Sequence, residues 1–194
     1  ALGKKKDATF LEKRSMNYKN VFHPEYKYVC RRDSLGNWDD QFDVFSNAGF
    51  IEGNSWQYSW YVPHDIKGLI KLIGKEKALE RLSDGFEKSR KHNFAAHVFD
   101  RTMGQSAEFY INQANEVNMN SAFIFNYLDK PSLCQNYTRE ILDRFYGDSP
   151  YKGWEGDEDE GQMGGWFVMS ALGLFEMDGG VTADSELDIT SPLF

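Results

Sequence analysis

Apolar residues recur at three- and four-residue steps along most of this chain, and that spacing predicts helices. Ala8, Leu11, Ser15, Tyr18 and Phe22 make the opening twenty residues an amphipathic helix. From Asp65 to Gly74 an acidic N-cap precedes Ile66, Leu69, Ile70 and Ile73, and a glycine stops the run. A second helix follows at once, with Ala78, Leu79, Leu82 and Phe86 on one face. Met119 to Tyr127 is too apolar for a surface helix and reads as buried on most sides. Pro131 and Ser132 open another, its inner face formed by Leu133, Tyr137, Ile141, Leu142 and Phe145. Gln162 to Leu174 reads as a further buried helix, with Trp166, Phe167, Ser170 and Leu174 at helical spacing. The tail, SELDITSPLF, alternates like a strand. Between the first two helices the stretch from His23 to Val44 is rich in turns, with a bend expected at Gly36-Asn37.

Helices of this length, joined by long ordered loops, suggest stacked helical hairpins rather than a four-helix bundle. The alternation of buried and half-buried helices suits a toroid of helix pairs. No low-complexity linker divides the chain, and no sequence repeat recurs at a fixed period.

Composition narrows the partners. The chain has 194 residues, enough for a good core in one domain or a piece of one. Its net charge of -8 argues against a phosphate-backbone partner. No apolar run approaches the length of a membrane span. The opening ALGKKKDATF lacks the apolar core of a signal peptide, which leaves the compartment open for a mature or excised product. Cys30 and Cys134 pair only if the fold brings them within disulfide range, and they have no metal-type spacing.

Aromatics make up 15% of the residues, and the stretch FIEGNSWQYSWYVPHD gathers four large rings around polar groups. Such a stretch fits a core loop with its polar tips satisfied. It equally fits a sugar site, where rings stack on pyranose faces and carboxylates and amides bind hydroxyls. The densest acid cluster is GDEDEGQMGGW, Gly156 to Trp166. A solvated acidic turn at a helix N-terminus accounts for it through the helix dipole. An EF-hand is rejected, because position twelve counted from Asp157 is Val168 rather than Glu. The third reading is catalytic. Glycoside hydrolysis needs one carboxylic acid to protonate the leaving oxygen and one carboxylate to activate water or to attack. Glu52 sits among four aromatics, where desolvation is expected to hold its proton. Asp157 and Asp159 lie in a glycine-flanked loop and are expected to be hydrated and ionised. The pair has the required asymmetry if the two segments meet.

The blocks EGNSWQYSWYVPHDIKGLIKLIG, GDEDEGQMGGWFVMSALGLF and ITSPLF resemble the signature segments of glycoside hydrolase family 92, the calcium-dependent exo-α-mannosidases. DATFLEKRSMNYKNVF and RDSLGNWDDQFDVF are similar to the family in the same order, so the resemblance covers nearly the whole chain. It implies a mostly α fold, residues 1–194 being part of an (α/α)6 toroid with a short β segment at the C-terminal end. The family's N-terminal β-sandwich is absent from this chain, so the remainder of a longer polypeptide is expected to be needed. The resemblance places the general acid at Glu52 and the general base at Asp159, with Asp157 as neighbour and substitute. Inverting hydrolysis of terminal α-linked mannose from N-glycans or mannans follows. Ca2+ is implied, binding mannose O2 and O3, with Asn115 and Glu116 as its protein ligands. Trp56 is expected as a pocket wall with Gln57 beside it in the EGNxWQY block. His64, Asp65, Arg32 and His97 are further substrate-binding candidates, although Asp65 fits equally well as a helix N-cap and Arg32 as half of an exposed ion pair. The resemblance favours a secreted, periplasmic or cell-surface location.

Departures from the family pattern bear on linkage. The family's His-Glu pair is His97-Val98 here, Val117 stands for a usual proline, and Gly164 stands for a serine. Three rivals follow: a carbohydrate-binding homologue with impaired catalysis, a different helical-toroid glycosidase, and a purely structural helical scaffold.

Overall fold

A computed structural model describes residues 3–95, 110–156, 158–177 and 187–190. Seven α-helices, several 3-10 turns and one pair of short strands are seen among these residues. The mostly helical class expected from periodicity is the observed one, and a short β segment does lie toward the C-terminal end.

The best-formed helices obey the sequence signals closely. In α3 (Ile66–Ile73) the buried residues are Ile66, Leu69, Ile70 and Ile73, one face at three- and four-residue steps. Asp65 caps it by accepting the Gly68 N–H, and Gly74, at φ 95°, ends it. Helix α4 (Lys75–Ser89) starts immediately, burying Ala78, Leu82, Gly85, Phe86 and Ser89. The apolar Met119–Tyr127 run splits into a 3-10 turn, Ser121–Phe123, and a short helix, α5 (Ile124–Tyr127). Pro131 opens α6 (Pro131–Arg144), where its missing N–H costs nothing. Phe86 stacks on Tyr137 at 4.4 Å and meets Phe125 at 5.5 Å, which joins α4, α5 and α6 into one core. Helix α7 (Gln162–Ala171) leads into β1 (Leu174–Glu176), antiparallel to β2 (Leu187–Ile189) with Phe175 opposite Asp188.

Two expectations need correction. Helix α1 (Lys5–Ser15) forms, yet it buries none of its residues; Leu11 is 60% exposed. Its stripe finds no covering surface among the described residues, and only the 3-10 turn beyond it, Met16–Val21, leads into the core through Tyr18 and Phe22. Helix α7 is buried only on the side of Met163, Trp166 and Ser170, while Phe167 and Val168 are exposed, and Leu174 belongs to β1 rather than to the helix.

Cys30 and Cys134 are both buried and free. No helix among the described residues is long and apolar enough to cross a membrane.

Candidate active site

The segment Asn112–Ser121 organises the site. Seven of its ten residues are polar, and it runs through the interior: Asn112, Gln113, Asn115, Asn118, Asn120 and Ser121 are all buried. Buried polar groups call for partners; Asn118 Oδ1 accepts the Asn112 N–H at 2.8 Å within the segment, and two amides reach the backbone of other segments. Asn115 Nδ2 donates to the Glu52 carbonyl at 2.7 Å. Asn120 Nδ2 donates to the Trp60 carbonyl at 3.2 Å. In the other direction Trp166 Nε1, on α7, donates to the Met119 carbonyl at 2.8 Å. Gly156 lies so close to this segment that a Cβ on it would stand 2.6 Å from the Ala114 carbonyl oxygen, and its φ is +86°. Only glycine allows that approach. The polar seam therefore holds the Glu52 loop on one side and the start of the Gly156–Gly161 loop on the other. The Glu52 and Gly156 segments thus share one neighbour.

Glu52 itself corrects an expectation. It is exposed, at φ 60°, in a loop whose neighbour Ile51 is 76% exposed. The rings meant to desolvate it do not enclose it: Trp56 and Trp60 enter the core, and Tyr61 is itself exposed. Tyr58 remains close enough for the Glu52 charge to raise the phenol, behind the larger effect of burial. Its hydroxyl donates to the Ile51 carbonyl, which ties the loop down.

The stretch behind Glu52 is a cap rather than a sugar wall. Asn54 and Gln57 form a reciprocal capping box on α2 (Ser55–Tyr58): the Gln57 N–H reaches Asn54 Oδ1 at 2.9 Å, and the Asn54 N–H reaches Gln57 Oε1 at 3.2 Å. Gln57, expected beside the substrate, thus spends its carbonyl oxygen on the backbone. Trp56, expected as a pocket wall, is only 1% exposed; it packs edge-on to Trp60 at 5.8 Å and to Tyr110 at 5.3 Å. A ring enclosed on all sides has no face to offer a sugar.

Three other substrate candidates are also committed to structure. Asp65 caps α3, accepts from Tyr18 Oη at 2.7 Å and lies 3.4 Å from Lys19 Nζ. His64 Nε2 hydrogen-bonds the Ser15 carbonyl at 2.9 Å. Arg32 has no carboxylate partner among the described residues: it donates to the carbonyls of Gly36 and Asn20, and its guanidinium stacks over Trp38 at 4.4 Å. His97 and Val98 lie outside the described residues, as does Asp157.

Asp159 is exposed at the tip of the acidic loop, where Asp159, Glu160 and Gly161 follow one another at φ 29°, 58° and 84°. Asn115 and Glu116 begin a 3-10 turn next to the Glu52 carbonyl; Asn115 Oδ1 accepts the Val117 N–H at 3.2 Å, and Glu116 is half-buried. An amide oxygen with a second lone pair and a carboxylate are hard donors of the kind calcium takes. The described residues hold no group of three or more His, Cys, Asp and Glu side chains able to grip a metal. A calcium ion here would therefore draw on Asn115, Glu116, backbone carbonyls and water.

Residues that the pattern did not single out also reach the site. Glu158 Oε1 accepts the Gly164 N–H at 3.0 Å. Tyr146, buried, donates to the Met163 carbonyl at 3.1 Å; burial pushes its phenol up, the nearby Gln113 amide opposes this, and the Glu158 charge adds to the rise. The only signal for Glu158 in the sequence was its six-residue distance from Gly164, which reads as a capping contact only once α7 is known to start at Gln162.

The profile of the glycosyl hydrolase family 92 catalytic domain matches residues 1–194. A family 92 α-mannosidase from Bacteroides thetaiotaomicron superposes with a TM-score of 0.79 at 32% identity, covering 98% of this chain and 24% of that one; the same enzyme is also known in complex with mannoimidazole. An inverting mannosidase of the family from Bacteroides thetaiotaomicron VPI-5482 gives 0.76 at 32% identity, over 100% of this chain and 26% of that one. A secreted glycosidase of Arthroderma benhamiae is 24% identical over 191 residues, which is 92% of this chain and 21% of that protein. The chain spans about a quarter of the length of these relatives. Its helical architecture and its full-length match agree, and the chain belongs to the glycosyl hydrolase family 92 catalytic domain.

Proposed function

We propose that this chain supplies the reacting carboxylates of a calcium-assisted, inverting exo-α-mannosidase, acting on terminal α-linked mannose of N-glycans or mannans. One observation carries the reading: the Asn112–Ser121 seam is bonded to the Glu52 loop and packed against Gly156, so both carboxylate loops are held by one element. Glu52 gives its proton to the glycosidic oxygen as the bond to the anomeric carbon breaks. Asp159, with Asp157 beside it, takes a proton from the water that attacks the opposite face. Displacement by water calls for the two carboxyl groups to stand about 6.5–9.5 Å apart. Asn115 and Glu116 would hold the calcium, which when bound supplies a hard Lewis acid for sugar hydroxyls. Glu52 and Asp159 are each exposed, and an exo-acting pocket needs walls; the rest of a longer polypeptide would provide them. The mannoimidazole complex and the inverting mannosidase among the structural relatives support the substrate and the stereochemistry. The Arthroderma glycosidase supports a secreted location.

A specific observation favours a second reading, a carbohydrate-binding homologue with impaired catalysis. Both ends of the Asn115 carboxamide already serve the backbone, which leaves the metal a single lone pair there. The deciding assay is mannose release from α-linked mannobioses by the full-length polypeptide, with calcium, with chelator, and with Glu52→Gln and Asp159→Asn. Release abolished by chelator and by each substitution is expected. Saturable mannoside binding without release would establish the second reading instead.

A further inference from the structure

Glu158 stands between two aspartates, yet its surroundings differ from theirs. Asp159 is exposed, whereas Glu158 is folded back onto α7. Its Oε1 accepts the Gly164 N–H at 3.0 Å, in the first turn of a ten-residue helix whose free N–H groups and dipole favour a carboxylate. Its Oε2 is sequestered from solvent without a hydrogen-bond partner among the described residues. With one oxygen engaged and the other covered, Glu158 has no atom to offer a reacting water.

The space for this clamp is made by an absent side chain. A Cβ on Gly164 would stand 3.1 Å from Glu158 Oε1 and 3.9 Å from its Cδ, so the carboxylate lies against the bare glycine. The floor is fixed from below: Tyr146 holds the Met163 carbonyl and stacks on Trp166 at 5.7 Å, and Trp166 is bonded to the seam. Beyond the clamp the chain turns through three consecutive left-handed residues, Asp159, Glu160 and Gly161, a conformation that L-residues adopt only where neighbours impose it. The Gln162 N–H closes the turn on the carbonyls of Glu158 and Asp159, at 3.2 and 3.1 Å.

We propose that Glu158 is a positioning residue: by clamping its carboxylate onto the Gly164 amide it fixes the turn that aims Asp159. The inference rests on Asp159 being the general base. The Glu158 clamp at Gly164 and the Gly156 contact at Ala114 hold the chain on the near side of Asp159, and the Gln162 N–H holds it on the far side. Releasing one pin moves the carboxylate of Asp159 without touching the substrate's other contacts.

The test uses the full-length enzyme with an α-linked mannobiose and compares Glu158→Ala, Glu158→Gln and Asp159→Asn. A displacement near 1 Å costs on the order of 10²-fold in rate, so Glu158→Ala should lower kcat by about that factor with KM almost unmoved. Glu158→Gln keeps an oxygen for the Gly164 N–H and should regain most of the loss, whereas Asp159→Asn stays inactive. Amide exchange read over residues 158–166 should quicken in Glu158→Ala and return toward wild type in Glu158→Gln. Wild-type kcat in Glu158→Ala overturns the proposal. Equal losses in the Ala and Gln variants overturn it too, since they would mean that the charge itself reacts. If the wild-type enzyme releases no mannose, the reading of its function has failed rather than the clamp. Exchange then decides: unchanged protection in Glu158→Ala refutes the clamp, and faster exchange supports it.

Discussion

Two glycine-to-alanine substitutions, identical on paper, should push stability in opposite directions. Gly85 lies inside α4 and Gly165 inside α7. By helix propensity alone each replacement should gain about 1 kcal/mol. At Gly85 the new methyl would stand 2.3 Å from Cζ2 and 2.5 Å from Cη2 of Trp56. The indole cannot swing aside, because it is 1% exposed and wedged between Trp60 and Tyr110. Overpacking of a tight core costs about 1–3 kcal/mol, and an overlap of this size belongs at the upper end. Subtracting the propensity gain leaves Gly85→Ala destabilised by about 2 kcal/mol. At Gly165 a Cβ meets no atom of the described residues within 4 Å, so Gly165→Ala keeps a gain of about 0.5–1 kcal/mol. Thermal unfolding of both variants in the same polypeptide, followed by tryptophan fluorescence, reads the two signs directly. A Tm raised by Gly85→Ala would refute the packing argument, since it would mean that Trp56 yields easily.

Asp65 ties α3 to the turn after α1, and Asp65→Ala should cost about 1 kcal/mol as a lost N-cap. Burial pushes its carboxyl up, but bonds from Tyr18, Gly68 and Lys19 outweigh that and hold it below the usual carboxylate value. A depressed folded value gives stability that is complete above the unfolded value of about 3.9 and lost as pH falls through the folded one. The Tm gap between wild type and Asp65→Asn should therefore narrow below about pH 4; a gap independent of pH would contradict this. Burial pushes the Cys134 thiol up to about 11, with the nearby polar groups of Thr138, Thr190 and Asn126 opposing and the Asp188 charge adding, and the side chain is fully buried. Iodoacetamide at neutral pH should leave Cys134 unmodified until the protein unfolds, and labelling of the native state would count against the packing around α6.

How much of this was readable in the sequence depended on how local the cause was. Helices α3, α4 and α6 follow from spacing, a capping aspartate, a stopping glycine and an opening proline, all interactions within a few residues. The stripe of α1 was equally legible, yet periodicity says only which face is apolar and not whether anything covers it. Trp56 failed as a sugar wall for a related reason. A buried ring and a stacking platform have the same composition, and the bare Gly85 that admits the indole lies 29 residues away. Glu52 has aromatic neighbours in sequence but not enclosure in space, because the α2 cap turns Trp56 and Trp60 inward and leaves the carboxylate outside. The seam was hardest to see. A run of asparagines reads as a loop until its partners are known, and those partners are carbonyl groups, which every sequence contains everywhere.

That choice of partners reaches beyond this chain. The bonds from Asn115, Asn120 and Trp166 end on the carbonyls of Glu52, Trp60 and Met119. A carbonyl is indifferent to the side chain its residue carries. Exchanging Glu52 for glutamine deletes an acid and leaves the joint beneath it whole, so loss of activity in that variant speaks of chemistry alone. The joint is thus blind to what is mounted on it: a side chain can be exchanged at either loop while the frame that carries it stays as it was.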